Sequence, residues 1–306
     1  MEEAKPSAVV ARRLEELYRQ RQTVLSAPPQ DALRQILDDP QALALVRSFP
    51  EQDFYLLMKD IGPEDAMALM VLASDRQWEY ILDLEGWSRD RVDERSLTLW
   101  AERLQRCDGN RLVQWLAQEK PLLMSYLITR NLQVVAREHD QDAGDIPDDH
   151  FTFDGIYYIR ISEAPAAIGS EDAPGLSAKQ RNAFWKQFLQ DLAQWDYTRF
   201  LKALQDEVIV TSHEAEEELY RHRNIRMAEK GLLPFDEAIA IYQPLSARPL
   251  QRLEPDHKQA HKEAPSPLHL PQLPMQQRQS EHLFSRALQR VETAPLREKV
   301  EAELVA

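Results

Sequence analysis

The densest group of potential metal ligands lies between Glu138 and Asp149, a run with six acidic residues and no lysine or arginine. Asp140, Asp142, Asp145 and Asp148 are its central candidates, with Asp149 beside them and His139 and His150 at the ends. Carboxylate oxygens on a loop suit hard cations such as Mg²⁺ or Ca²⁺. An EF-hand counted from Asp140 fails, because Phe151 stands where the bidentate glutamate is required. The plainer reading of such a run is a solvated acidic loop. A second group is His213, Glu217, Glu218 and His222. His213 and Glu217 are four residues apart, as are Glu218 and His222, so on a helix they could offer imidazole and carboxylate to a transition metal. Read without a metal, they are two surface pairs, each contributing a few tenths of a kcal/mol, about 0.2–0.5. His257 and His261 share the spacing but lack the glutamate of HExxH. Cys107, the single cysteine, could pair with His139 as nucleophile and base, or simply be a small apolar residue at a helix end.

Several chemistries are excluded. No GxGxxG, GxxxxGK[ST] or GxSxG occurs, and the eight glycines are spread singly. One cysteine permits neither an intrachain disulfide nor a multi-cysteine zinc site. The formal charge of −14 argues against nucleic acid, which needs a basic surface to displace counterions. No apolar run approaches the ~20 residues of a membrane span, and residues 1–6 open acidic, without the apolar core of a signal peptide. A cytoplasmic location is the expectation.

The elements that would carry these side chains are mostly helical. Leucine occurs 40 times and threonine seven, a helix-favouring bias. Residues 8–25 form an amphipathic helix stopped by Pro28 and Pro29. Short helices then start at Pro40, Pro50, Pro63 and Ser74, with Gly62 placed to end one and Ser74–Gln77 to cap another. Each carries an apolar stripe, including Phe54, Leu57, Leu69 and Trp78. Helices of about ten residues are not stable alone. Stacked, they predict an all-α, right-handed superhelical, solenoid-like fold. The spacing predicts further helices over 92–107, capped off by Asp108-Gly109, over 111–118, capped by Asn110, and from Pro121 to about Glu138. Asp154-Gly155 between β-rich runs predicts one inserted hairpin with a type I′ turn, Phe153 facing Ile156. Helices follow from the Ser177–Gln180 capping pattern, from Tyr197, from Thr211 and from Pro234. The six tryptophans fall mainly on apolar stripes and read as core.

The expected organisation is an N-terminal helix (1–27), a helical-repeat domain (28–138), the acidic loop and hairpin (139–161), a second helical region (162–243), a Pro-rich linker (244–275) and a further helical segment (276–306). The linker holds seven prolines between Pro244 and Pro274. The last helix has no stop signal, so the chain is expected to continue past residue 306.

Two resemblances follow from particular residues. Phe49-Pro50-Glu51, Leu56-Leu57 and Ile61-Gly62-Pro63-Glu64-Asp65-Ala66 make residues 31–84 resemble the N-terminal helical-repeat domain of MgtE-type magnesium transporters. Gln77-Trp78-Glu79-Tyr80, Arg137-Glu138-His139-Asp140, Phe153-Asp154-Gly155 and Gly231-Leu-Leu-Pro234-Phe235 are similar to an uncharacterised bacterial helical family of unknown function. That resemblance implies no activity, and no transporter residue is carried over. The expected function is a cytoplasmic scaffold or regulatory interaction module with an unidentified protein partner. It would have no catalytic residue and no cofactor, unless the acidic loop takes Mg²⁺ or Ca²⁺. The alternatives are a divalent-cation-responsive regulator using residues 138–149, or a metal-dependent enzyme using His213, Glu217 and His222.

Overall fold

A computed structural model describes residues 8–138, 142, 144, 146–163, 175–205 and 212–241. Helices dominate, with a small antiparallel sheet. The expectations for residues 164–174, 206–211 and 242–306 lie outside the described residues. The chain divides into two compact units, residues 1–77 with 224–306, and residues 78–223.

In the first unit, α1 (Ala8–Leu25) keeps its expected bounds. After it comes α2 (Pro29–Leu37), a helix that the proline pair had hidden: Pro29 opens it, because proline at the first helical position loses no intrahelical hydrogen bond. Then α3 (Ala42–Ser48), α4 (Glu51–Ile61), α5 (Met67–Leu72) and the start of α6 (Asp75–Glu85) follow as the four short helices expected. Phe54, Leu57, Leu69 and Trp78 are all buried. Gly62 ends α4 at φ +100° and ψ 132°, a conformation that only glycine adopts readily. Gln77 completes the box at the start of α6. Its Oε1 accepts from the Ser74 N–H at 2.8 Å, and the Ser74 hydroxyl accepts from the Gln77 N–H at 3.3 Å. Its Nε2 donates to the carbonyls of Val46 at 2.9 Å and Phe49 at 3.0 Å, tying α6 to the end of α3. The return of the chain to this unit is held by α4: Gln52 Nε2 donates to the Lys230 carbonyl at 3.0 Å, and Lys230 Nζ reaches Glu51 at 2.7 Å. Helix α12 (Phe235–Ile241) follows.

The second unit is built on α7 (Glu94–Glu119), which packs against α9 (Ala178–Trp195) and α8 (Pro121–Asn131). A short ribbon, β1 (Trp87–Ser88) with β2 (Arg91–Val92), precedes α7. Asp108 interrupts α7 with extended dihedrals, and its carboxylate accepts from the Arg111 N–H at 3.0 Å. The cap at this break is therefore Asp108, where Asn110 was expected. The helix expected from Pro121 to Glu138 stops at Asn131. Beyond it lies β3 (Leu132–Ala136), where the Val134-Val135 pair finds a strand partner instead of a helix face.

The single hairpin becomes a three-stranded antiparallel sheet in the order β3–β5–β4, with β4 Phe151–Thr152 and β5 Tyr157–Ile161. Its turn also differs from expectation. Thr152 faces Tyr158, and residues 153–156 form the loop, with Tyr157 already paired to Ala136 of β3. Asp154 does not take positive φ; Gly155 does, at +73°. A type I′ turn needs both. Side chains supply the turn's hydrogen bonds instead. Asp154 Oδ1 accepts from the N–H groups of Ile156 (2.8 Å) and Tyr157 (2.9 Å), and Thr152 Oγ1 from that of Gly155 (2.9 Å). Burial alone would raise the Asp154 carboxyl, but those two N–H donors and the Tyr197 hydroxyl outweigh it and hold the group below the ordinary aspartate range. The loop rests on α10 (Tyr197–Gln205) through Phe153, whose ring lies 5.8 Å from that of Phe200. Helix α11 (Ser212–Glu229) completes the order of described elements.

Candidate functional site

The sheet and α9 are locked together by polar groups that the sequence pattern did not single out. Asn131, fully buried at the end of α8, donates to the Leu127 carbonyl at 2.8 Å. Its own carbonyl accepts from the Ser162 N–H at 2.8 Å, just past β5. Its Oδ1 accepts from Arg181 of α9 at 2.8 Å, and the same guanidinium donates to the Ser162 carbonyl. Arg181 is only 5% exposed, and burial lowers the affinity of its guanidinium for its proton. Nearby in the same unit, buried Glu94 pairs with Arg130 at 2.5 Å. Burial, then the charges of Glu94 and Glu216, push the Tyr126 hydroxyl far above its ordinary range. An arginine and a glutamate at this depth need such partners, since an unpaired buried charge costs several kcal/mol, about 3–5.

This frame positions a polar cleft of about 520 Å³, lined by residues of β3, β5, α9 and the segment leading into β4. Gln133 and Arg160 are cross-strand partners, and Arg160 Nε and Nη2 donate to Gln133 Oε1 at 3.0 and 2.6 Å. Arg160 Nη1 reaches Asp149 at 3.3 Å, and His150 Nδ1 lies 2.8 Å from the same carboxylate. Desolvation opposes it, but hydrogen bonds from His150 and Arg160 hold the Asp149 carboxyl below the usual range. Asn182 and Lys186, one turn apart on α9, supply the opposite wall, with the Lys186 ammonium 5.0 Å from the Phe151 ring centre.

The expected metal ligands are only partly visible. Asp140, Asp145 and His139 lie outside the described residues. Asp142 is exposed and accepts from the Gly144 N–H at 3.2 Å. Asp148 lines the cleft alongside Arg160 and Lys186, whose charges oppose a cation there. His213 falls in α11, but its side chain is not described. Glu217 is exposed, while His222 Nε2 lies 3.1 Å from Glu218, which also pairs with Arg221. Among the described residues no three His, Cys, Asp or Glu side chains gather closely enough to hold a metal ion. Burial pushes the Cys107 thiol up to about 11, despite Arg106 and Arg111, so it is no ready nucleophile at neutral pH. His257 and His261 lie outside the described residues. Trp78, Trp100, Trp115 and Trp185 are buried as core, while Trp87 and Trp195 are half-buried.

Comparison with known proteins gives a family and no activity. Residues 10–306 match the family described as "Family of unknown function (DUF6178)", and the chain belongs to it. No curated protein and no solved structure matches. The likeness of residues 31–84 to the MgtE-type repeat domain has no counterpart in these comparisons. No described helix is long and apolar enough to cross a membrane.

Proposed function

We propose that the protein is an interaction module that takes up an extended segment of a partner protein along β3. The observation that carries this is the edge of that strand that no described residue pairs with. Within the β3–β5 ladder the Arg137 N–H donates to Ile156 and the Asn131 carbonyl accepts from Ser162. Odd-numbered residues therefore face β5, and the N–H and C=O groups of Val134 and Ala136 point away from the sheet. No described residue pairs with them, and Val135 beside them is 43% exposed. An open row of this kind is the template for strand addition. The opposite edge, β4, has only two residues and offers much less. The scaffold character, a superhelical stack of α2–α6 offering a concave face, belongs to the same proposal. So does a cytoplasmic location. A divalent-cation response would need Asp140 and Asp145 to join Asp142, and millimolar Mg²⁺ or Ca²⁺ should then protect the amides of 142–150 from exchange.

The test is selection of binders from a displayed library of extended peptides. Val134→Pro removes an outward N–H without touching the ladder to β5. Binders lost on Val134→Pro support the reading. No selectable binder, or binders indifferent to that change, overturns it.

A further inference from the structure

Three charged side chains in the cleft lining have no ion-pair partner among the described residues: Lys186, Asp148 and Glu163. The other charges cancel internally, since Arg160 is spent on Gln133 and Asp149, and Asp149 also on His150. Among its described lining residues the cleft thus presents one unpaired cation and two unpaired carboxylates, together with Asn182 of α9 and Ser162 just past β5.

We infer that this cleft binds a small zwitterion of the dipeptide class, its carboxylate on Lys186 and its ammonium on Asp148 and Glu163. A pure anion would meet both free carboxylates, and a pure cation would meet Lys186. A ligand carrying both charges answers each with its opposite. The Phe151 ring, 5.0 Å from Lys186 Nζ, is within cation–π reach and helps fix the position of the Lys186 ammonium. Asn182 and Ser162 offer partners for the amide between the termini. The 520 Å³ volume falls in the range of small-molecule clefts, and the polar lining selects a polar occupant. This site is separate from the strand-addition reading and does not depend on it.

The probe is diglycine, titrated against the full chain by ¹H–¹⁵N NMR, beside N-acetyl-diglycine and diglycine amide. Saturable shifts at Asn182, Lys186 and Ser162 with diglycine are expected, with about tenfold weaker binding, or none, for the two capped forms, a factor equal to 1.4 kcal/mol. Lys186→Gln and Glu163→Gln, both at exposed positions, should each weaken diglycine by a similar factor while leaving the far-ultraviolet circular dichroism unchanged. Absence of saturable shifts overturns the inference. So do capped forms that bind as well as diglycine, or binding indifferent to both variants.

Discussion

Gln77→Glu exchanges one atom group and should damage the first unit sharply. The wild-type amide is 1% exposed and uses both ends: Oε1 accepts at the start of α6, and Nε2 donates to the carbonyls of Val46 and Phe49. The Val46 carbonyl also accepts from the Phe49 N–H, so it keeps a partner when Nε2 is lost. The Phe49 carbonyl has no other described donor. Orphaning it costs about 1–3 kcal/mol, and losing the bond to Val46 about 1 more. A carboxylate facing two carbonyl oxygens adds desolvation and repulsion, so the total should be about 3–5 kcal/mol at pH 7. The pH dependence separates this account from a packing defect. Burial and the two carbonyls raise the folded-state pKa of a glutamate here above its unfolded value of about 4.3. The proton it binds stabilises the fold fully below the unfolded value, and that contribution is lost as pH rises through the folded one. Urea unfolding followed by circular dichroism should therefore show a deficit at pH 7 that shrinks markedly near pH 4, where the protonated acid can donate again. A deficit independent of pH, or one below about 1 kcal/mol, the size of a lost cap alone, would refute the reasoning.

Leu57→Ala should cost about 2–5 kcal/mol, since the side chain is 2% exposed in the core of the first unit; an unmoved denaturation midpoint would place that stripe outside the core. Asp154 holds the loop between β4 and β5 as a carboxylate with a lowered pKa. Protection of the Ile156 and Tyr157 amides should be full above its unfolded pKa of about 3.9 and lost as pH falls through the folded value; exchange rates flat across that window would count against it. Cys107 should resist iodoacetamide at pH 8, react far faster in urea, and become reactive in the native protein only toward its raised pKa of about 11. Rapid native labelling at pH 8 would contradict its burial.

Much of the helical plan was legible because its signals are local. Pro50, Gly62, the Ser74–Gln77 box and the Ser177–Gln180 box each act within a few residues, through a dihedral angle or a single hydrogen bond, and the structure places α4, α6 and α9 where they indicate. The apolar stripes of Phe54, Leu57, Leu69 and Trp78 were legible for the same reason, since a period of 3.6 needs no knowledge of the partner. Where local signals compete, tertiary contacts decided. Residues 132–136 continue a helical stripe on paper, but β5 offers a ladder and the Val134-Val135 pair takes it. Asp154-Gly155 reads as a two-residue turn, yet side-chain acceptors at Thr152 and Asp154 hold a longer loop. The cleft had no signature at all. Gln133, Arg160, Asn182 and Lys186 lie on three elements far apart in sequence, and no spacing rule connects them. They meet because Asn131 and Arg181, ordinary polar residues in the sequence, are buried against each other and fasten α8, β5 and α9 at one point. Local chemistry determines where helices begin and end; the burial of a few polar groups, which only the folded chain can satisfy, determines which side chains share a site.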